Sequence, residues 1–501
     1  MHRTLALIAP PQKGLLEGFS NGLVTLANFV EAKAPSSDVR IIDLAVSAEE
    51  EVESGIFERI GPDPGLLFVG ITTTTATYQS ALGVARACKR LYPSCRVVLG
   101  GHHASPQDEV ILRLHYPLVD YIVRGEGELA LLTLFHEYPN VRSVPGLSYL
   151  IGGALCRNPS APLLPTEELD LLSPLHRDLT PRSVPGKFGH VTYVSARGCP
   201  LKCAFCSVAN QSIRAKSVPA VVRDIQALAS ALRCTSIAVE DNFFAHSPKR
   251  TLELCAAMEE LQRTVRFRWD CQTRVESMRR SDILAAMERA GCEAVYLGVE
   301  ALQAEQLIYL GKTANPRQYL EWLHGSVIPK LLDTSVEPYV NLQLGIPNET
   351  TQQREQFIKA LANLGEQAAA AGRVITVFPQ LNVIYPGTRH FEDALMSGRF
   401  GSKAEDIFED FTAWEARQEP VLHWLGDHFA HGTGGIPVGI LDPSLLRTRS
   451  FRVDPDLVLG VVNQLNRMED LRGISIFHYS AHTVGSTPQS TEAASTGQVL
   501  A

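Results

Sequence analysis

Short, almost wholly apolar runs alternate with helical stretches twice along this chain, and that double alternation restricts its fold more than any other feature. In the first series the runs are Thr4–Ala9, Val39–Leu44, Leu66–Thr72, Arg96–Leu99 and Asp120–Val123, with helical patterns such as Tyr78–Leu91 between them. Strands that are apolar on both faces belong to a parallel sheet covered by helices, so a Rossmann-like α/β domain is expected over residues 1–142. Ligands of such sheets bind beyond the carboxyl ends of the strands. The turns expected there are Thr72-Thr73-Thr74-Thr75, Gly100-Gly101-His102-His103 and Gly125-Glu126-Gly127-Glu128.

Seven prolines between Pro145 and Pro185 mark residues 143–189 as a linker that wraps from one domain to the next. The second series spans 190–399. Its strand candidates are Val191–Ser195, Ser236–Glu240, Arg266–Asp270, Ala294–Val299, Glu337–Leu344 and Val374–Ile384. Helices are expected at Val218–Leu232, Pro248–Gln262, Ser281–Ala290, Pro316–Leu332 and Thr351–Ala371. Six β/α units in so short a span predict a partial (β/α)6 barrel of TIM type, with its chemistry at the carboxyl-end loops. Residues 400–484 read as a mostly helical region capping the barrel mouth, and the Ser/Thr/Gln/Ala-rich stretch 485–501 as a disordered tail.

Bulk properties exclude whole classes. The net charge of −8, from 54 acidic against 46 basic side chains, argues against a nucleic-acid binder, which carries a basic surplus or stripe. No apolar run approaches the roughly 18 residues of a membrane helix. Leu5–Ala9 is too short for a signal-peptide core and is followed at once by Pro10-Pro11-Gln12-Lys13. A cytoplasmic enzyme with a small-molecule substrate is the expectation. In a reducing compartment the ten cysteines are thiols or metal ligands. Cys88, Cys95, Cys156, Cys234, Cys255, Cys271 and Cys292 are scattered and read as core thiols.

The other three stand together in Arg197-Gly198-Cys199-Pro200-Leu201-Lys202-Cys203-Ala204-Phe205-Cys206, directly after the first strand of the second series. Spacings of four and three on a curled loop let three thiolates converge on one small object. A closed zinc site wants four ligands, and simple electron-transfer clusters use four cysteines. A [4Fe–4S] cluster held by three keeps one iron open for chemistry. Zinc completed by a distant His, or a ferredoxin-like cluster completed by another Cys, are the alternatives on spacing alone.

This Cys-x3-Cys-x2-Cys segment, with the aromatic Phe205 before its last cysteine, resembles the signature of the radical S-adenosylmethionine (SAM) superfamily. The resemblance implies that Cys199, Cys203 and Cys206 hold the cluster and that its open iron chelates SAM. Further segments match in order on the expected loops: Glu240-Asp241-Asn242-Phe243, Gln272-Thr273-Arg274, Gly298-Val299-Glu300, Leu344-Gly345-Ile346-Pro347 and Tyr385-Pro386-Gly387-Thr388. It implies SAM contacts from Phe205, Glu240, Arg274 and Glu300, the charges of Glu240 and Arg274 meeting the ammonium and carboxylate of the methionine moiety.

Gly125-Glu126-Gly127-Glu128-Leu129-Ala130 formally fits the dinucleotide pattern G-x-G-x-x-A, but it follows the fifth strand, and two glutamates would face the pyrophosphate. The front domain instead resembles the cobalamin-binding domain of cobalamin-dependent radical enzymes, class B methyltransferases among them. That resemblance implies corrin contacts from Thr73, Gly100, Gly101, His102, Gly125, Glu126 and Gly127. The loop after the first strand, Pro10-Pro11-Gln12-Lys13-Gly14, lacks the cobalt-ligating histidine of some cobalamin proteins. The implied activity is methylation of an unactivated carbon, fed by an external electron donor such as a flavodoxin or ferredoxin. Rearrangement, ring contraction or cyclisation without methyl transfer is the alternative within the family. An iron–sulfur electron-transfer or sensing protein, and behind it a nicotinamide-linked oxidoreductase, are those outside it.

Overall fold

The computed structural model describes residues 3–11, 20–178, 190–396 and 471–476, except positions 46, 76, 347–348 and 383–384, together with residues 464, 467 and 468. Two seven-stranded sheets organise it. The first holds β1 (Arg3–Ala9), β2 (Asp38–Asp43), β3 (Leu66–Thr72), β4 (Arg96–Gly100), β5 (Tyr121–Val123), β6 (Leu147–Ile151) and β7 (Ala154–Arg157), in the order β2-β1-β3-β4-β5-β6-β7. The first five strands are parallel. Leu5 and Leu7 pack on one face of this sheet with Phe68, and Ala6 and Ile8 on the other with Val69, which is why the strands are apolar without alternation.

The Pro-rich stretch is more than a connection. β6 and β7 add antiparallel to the sheet edge. They are joined through Gly152 and Gly153 at φ +56° and +82°, the two-residue turn that matches strand twist and that L side chains avoid.

The second sheet is built from β8 (His190–Tyr193), β11 (Ser236–Val239), β12 (Arg268–Thr273), β13 (Cys292–Glu300), β14 (Glu337–Leu344), β15 (Ile375–Leu381) and β16 (Ile474–Ile476), all parallel. A two-stranded ladder, β9 (Ala196–Arg197) with β10 (Arg214–Ala215), brackets the cysteine loop. Helices start where the sequence provides caps: Ser217 accepts from Ala220 N, and Thr350 and Gln353 form a reciprocal capping box.

Three sequence expectations are corrected here. The strand expected at Arg266–Asp270 lies at Arg268–Thr273, because Asp270 and Gln272 point into the barrel and disguise its second half as polar. The helix expected over Pro316–Leu332 is interrupted by a π-turn at Leu323–Val327. Pro329 has no N–H to give to the carbonyl of Gly325, and its ring crowds that carbonyl. A seventh parallel strand, β16, comes from the region expected to be mostly helical; the rest of that region lies almost wholly outside the described residues.

Candidate active site

In the second sheet the two faces differ in a telling way. Trp269 and Cys271, Val295 and Leu297, and Val340 and Leu342 face the helices and are fully buried. Their neighbours Gln272, Tyr296, Asn341 and Phe378 face inward and are half-exposed. A curved sheet whose inward residues are the accessible ones encloses an open lumen, and its mouth is the carboxyl end of the strands.

The cysteine loop sits at that mouth. Gly198 has φ +84°, and a Cβ on it would stand 2.3 Å from the carbonyl oxygen of Ser212, so only glycine lets the loop turn there. Gln211 N donates to Cys199 O at 2.8 Å, Asn210 N to Leu201 O at 2.7 Å, and Ala204 N to Leu310 O at 2.8 Å. Cys199 is buried, while Cys203 and Cys206 are half-exposed. Burial lifts the Cys199 thiol and pushes that of Cys206 up to about 11. Phe205 packs against the barrel core.

The loop is held from beneath by Asp241. This fully buried carboxylate accepts from Ser195 N at 2.6 Å, Ser195 Oγ at 2.5 Å and Ala196 N at 2.8 Å. Arg274 lies on the other side. Its Nη1 reaches Cys203 Sγ at 3.5 Å, and its Nη2 is paired with Glu276 Oε1 at 2.9 Å. Glu300, at φ +71°, accepts from Lys312 Nζ at 3.2 Å and Gln343 Nε2 at 3.1 Å. A non-glycine residue held in the left-handed region at a strand end is strain of the kind that clusters at functional sites.

The front domain presents its own strand ends to this mouth. Thr73 N and Oγ1 donate to Gly100 O at 2.8 and 2.7 Å, and Ala104 N donates to Thr73 Oγ1 at 3.2 Å, knitting the loops after β3 and β4 together. Thr73 is therefore a buried brace between these loops. Gly101 has φ +104°, and a Cβ there would fall 2.4 Å from Thr73 O. His102 is exposed beside it, yet protein crowds the imidazole enough to lower its pKa, as on a cleft wall. His103 is buried, with its pKa lowered to about 3 by burial.

Three contacts bring the two sets of strand ends together. Asn21 Nδ2 donates to Thr192 Oγ1 at 2.7 Å. Gly387 lies so close to Pro106 that a Cβ would stand 3.0 Å from the ring. Glu126 binds Arg214 Nη1 at 3.0 Å and Arg197 Nη1 at 3.3 Å, while Glu128 accepts from Arg197 Nη2 at 2.7 Å. Glu126, implied by the resemblance as a corrin contact, thus joins Glu128 in an ionic clasp on the strands that bracket the cysteines. Gly125, at φ +78°, has open space above it, whereas a Cβ on Gly127 would meet Leu26 at 3.1 Å.

Comparison with known proteins decides what kind of assembly this is. Residues 15–135 match the family of the B12 binding domain, and residues 193–361 match the radical SAM superfamily. The chain belongs to the radical SAM enzymes that carry a B12-binding domain.

Its relatives include an uncharacterised methyltransferase of Pyrococcus horikoshii, 28% identical over 78% of this chain and 83% of the relative. The anaerobic magnesium-protoporphyrin IX monomethyl ester cyclase of Rubrivivax gelatinosus is 26% identical over 67% of this chain, which spans only 60% of the cyclase. Among solved structures, the radical SAM methyltransferase TsrM of Kitasatospora setae, determined with cobalamin and a [4Fe–4S] cluster, superposes with a TM-score of 0.67 at 18% identity, covering 80% of this chain and 76% of TsrM. The likeness to TsrM is one of fold.

The donor set of this B12-binding radical SAM enzyme suits a cluster with one open iron: three cysteines stand on one loop at spacings of four and three, where a closed zinc site wants a fourth ligand. Six of the seven scattered cysteines are buried and Cys156 is half-buried, as core thiols should be. At the front sheet's strand ends, Gly101 lets the loop after β4 pack against Thr73, and Gly125 is exposed with open space beside it. No helix among the described residues is long and apolar enough to cross a membrane.

Two predictions follow from charges at this site. Glu126→Ala leaves Arg197 and Arg214 without their shared partner in a partly buried seam. It is expected to lower stability by about 1–3 kcal/mol, with Glu126→Gln intermediate, in calorimetric unfolding. Inside the lumen, burial first, then repulsion from Glu240 and Glu293, raises Asp270 to about 7 from roughly 4 in an unfolded chain. Its contribution is full below pH 4 and is lost as pH rises through 7. Between pH 5 and 8 the wild type should therefore lose a few kcal/mol more than Asp270→Asn, as read from denaturant midpoints.

Proposed function

We propose that this enzyme methylates an unactivated carbon of a small molecule, with Cys199, Cys203 and Cys206 as the three protein ligands of a [4Fe–4S] cluster. The observation that carries this reading is the seam: the carboxyl ends of both sheets face each other, and the three-cysteine loop lies where they meet. When bound, the cluster with SAM supplies a 5′-deoxyadenosyl radical for hydrogen abstraction, and cobalamin supplies the methyl group.

The chain's own residues bind, orient and shield. Glu240, reached by water from the lumen yet crowded enough for burial to raise its carboxyl pKa, takes the methionine ammonium. Phe205 and Glu300 border the same cofactor. Arg274 gives four of its five N–H donors to Cys203, Glu276 and the carbonyl of Lys312, and its remaining Nη1 N–H is assigned to the methionine carboxylate. Gly100, Gly101, His102, Gly125 and Gly127 line the corrin side, with Thr73 bracing them. The clasp of Glu126 and Glu128 closes the seam and shields the reacting groups from solvent and side reactions. Residues 400–484, almost wholly outside the described residues, are assigned to substrate selection. A flavodoxin or ferredoxin delivers the electron, and the enzyme works in the cytoplasm.

The similarity to the cyclase favours one second reading, cobalamin-assisted cyclisation or rearrangement without methyl transfer. The test is anaerobic reconstitution with iron, sulfide and cobalamin. Electron-spin spectra are then taken with and without SAM, and mass spectrometry is run on products formed from a metabolite extract. A cluster signal that moves on adding SAM, bound corrinoid and a product heavier by one methyl group are expected. 5′-Deoxyadenosine with no methylated product would move the assignment to the second reading. A cluster indifferent to SAM would remove both.

A further inference from the structure

Asp270 has no place in the machinery above. It is the third residue of β12; Trp269 and Cys271 on either side of it pack outward among the helices, so its carboxylate points into the lumen. It is only 8% exposed, and no donor among the described residues hydrogen-bonds to it. A buried carboxylate without a donor is costly, and its nearest charged neighbours, Glu240 and Glu293, are carboxylates too. The cations at the mouth cannot relieve it: Lys312 is held by Glu300 at 3.2 Å and Arg274 by Glu276 at 2.9 Å.

One layer nearer the mouth the lumen wall is aromatic. Tyr296 and Tyr339 lie side by side across β13 and β14 with ring centroids 4.6 Å apart at 34°, and Phe378 of β15 stands edge-on to Tyr296 at 6.4 Å and 77°. Burial, then Glu337, which accepts from the Tyr339 hydroxyl at 3.4 Å, and after it Asp270 raise the Tyr339 phenol. An unpartnered carboxylate beneath electron-rich ring faces attracts a cation twice over, by charge and by quadrupole.

We infer that the lumen binds a substrate carrying a protonated amine, with Asp270 accepting from its nitrogen and the Tyr296–Tyr339–Phe378 wall packing on the flat or apolar body attached to it. The inference rests on the proposed radical chemistry only in taking the lumen as the substrate site. It also fixes a length. Asp270 lies four strand residues below Arg274, the partner of Cys203, or about 13 Å at 3.3 Å per residue. The reacting carbon therefore lies at the end of the substrate opposite its nitrogen.

The test uses full-length protein, reconstituted anaerobically, with 4-phenylbutylamine as probe and 4-phenylbutyrate as an anion of matching size. Binding is read by saturation-transfer NMR and calorimetric titration. The amine should bind at least about tenfold more tightly than the acid, as a buried charge-assisted hydrogen bond implies. Asp270→Asn should abolish the preference, Asp270→Glu should keep it, and Tyr339→Leu should weaken amine binding several-fold. Equal binding of amine and acid, no binding of the amine at millimolar concentration, or a preference that survives in Asp270→Asn overturns the inference. The response of the cluster signal to SAM is recorded on the same samples. It should be unchanged in Asp270→Asn, and its absence from the wild type would count against the radical reading whatever the amine does.

Discussion

Alanine at any one of Cys199, Cys203 or Cys206 is expected to reduce reconstituted iron and to lower SAM cleavage by about a thousandfold or more, equivalent to roughly 4 kcal/mol of transition-state stabilisation. Three ligands are already the minimum for holding a four-iron cluster with one iron open, so no protein thiol stands in reserve. The scattered cysteines cannot substitute: Cys271 and Cys292 lie on outward-facing positions of the barrel strands, buried among helices, and Cys156 sits on the edge hairpin of the other sheet. Cys156→Ser therefore serves as the control and should leave iron content and cleavage unchanged. Iron and sulfide analysis with quantification of 5′-deoxyadenosine checks both halves. Full cleavage by a Cys203→Ala protein would falsify the ligand assignment.

The second large effect is expected at Asp241, which the reaction never touches. Its carboxylate gathers the Ser195 and Ala196 amides and the Ser195 hydroxyl, all buried, and so sets the direction in which the chain enters the cysteine loop. Asp241→Ala strands three donors away from water, each at a cost of about 1–3 kcal/mol, and a total loss of about 3–5 kcal/mol of stability is expected. Asp241→Asn keeps the shape and loses less, because one amide oxygen can still accept while the NH2 group faces a donor. Denaturant unfolding of the unreconstituted proteins measures the stability. Iron retention after gel filtration should fall in the same order, alanine below asparagine below wild type, if the anchor positions the loop.

The clasp gives a physical reason for the spacing of the two domains. Glu126 and Arg197 are 71 residues apart, and each alone resembles an ordinary surface charge on a polar turn. Brought together they are largely removed from solvent, with side-chain exposures of 22% each, so screening by salt is weaker there than at a free surface. The partners of the clasp, Arg197 and Arg214, are the residues that pair β9 with β10 around the cysteines. A ligand held on the front sheet and one held by the cysteine loop would thus be kept in a fixed relation by the same side chains.

Much of this was legible in the chain itself, for local reasons. Leu66–Thr72 and Glu337–Leu344 are strands at the residues expected because apolar and β-branched runs bounded by turn residues leave little else for them to do. The helices Tyr78–Leu91 and Val218–Leu232 also fall where their periodicity puts them, the second helped by its Ser217 cap. The cysteine motif is a short-range pattern, and its position after the first strand of a β/α series was enough to place it at the barrel mouth. Tertiary structure decided the rest, because the deciding partners are remote in sequence. That Glu126 meets Arg214, that Arg274 lies beside Cys203, and that Gly198 must be glycine all depend on residues that only folding brings near. The inside of the partial barrel is the clearest case: an aspartate in mid-strand reads as a strand end until the fold shows that one side of the strand faces the lumen. Local sequence sets which segments can be strands and helices through backbone preference and burial pattern, while electrostatics and close packing act across space, and space is assigned by the fold.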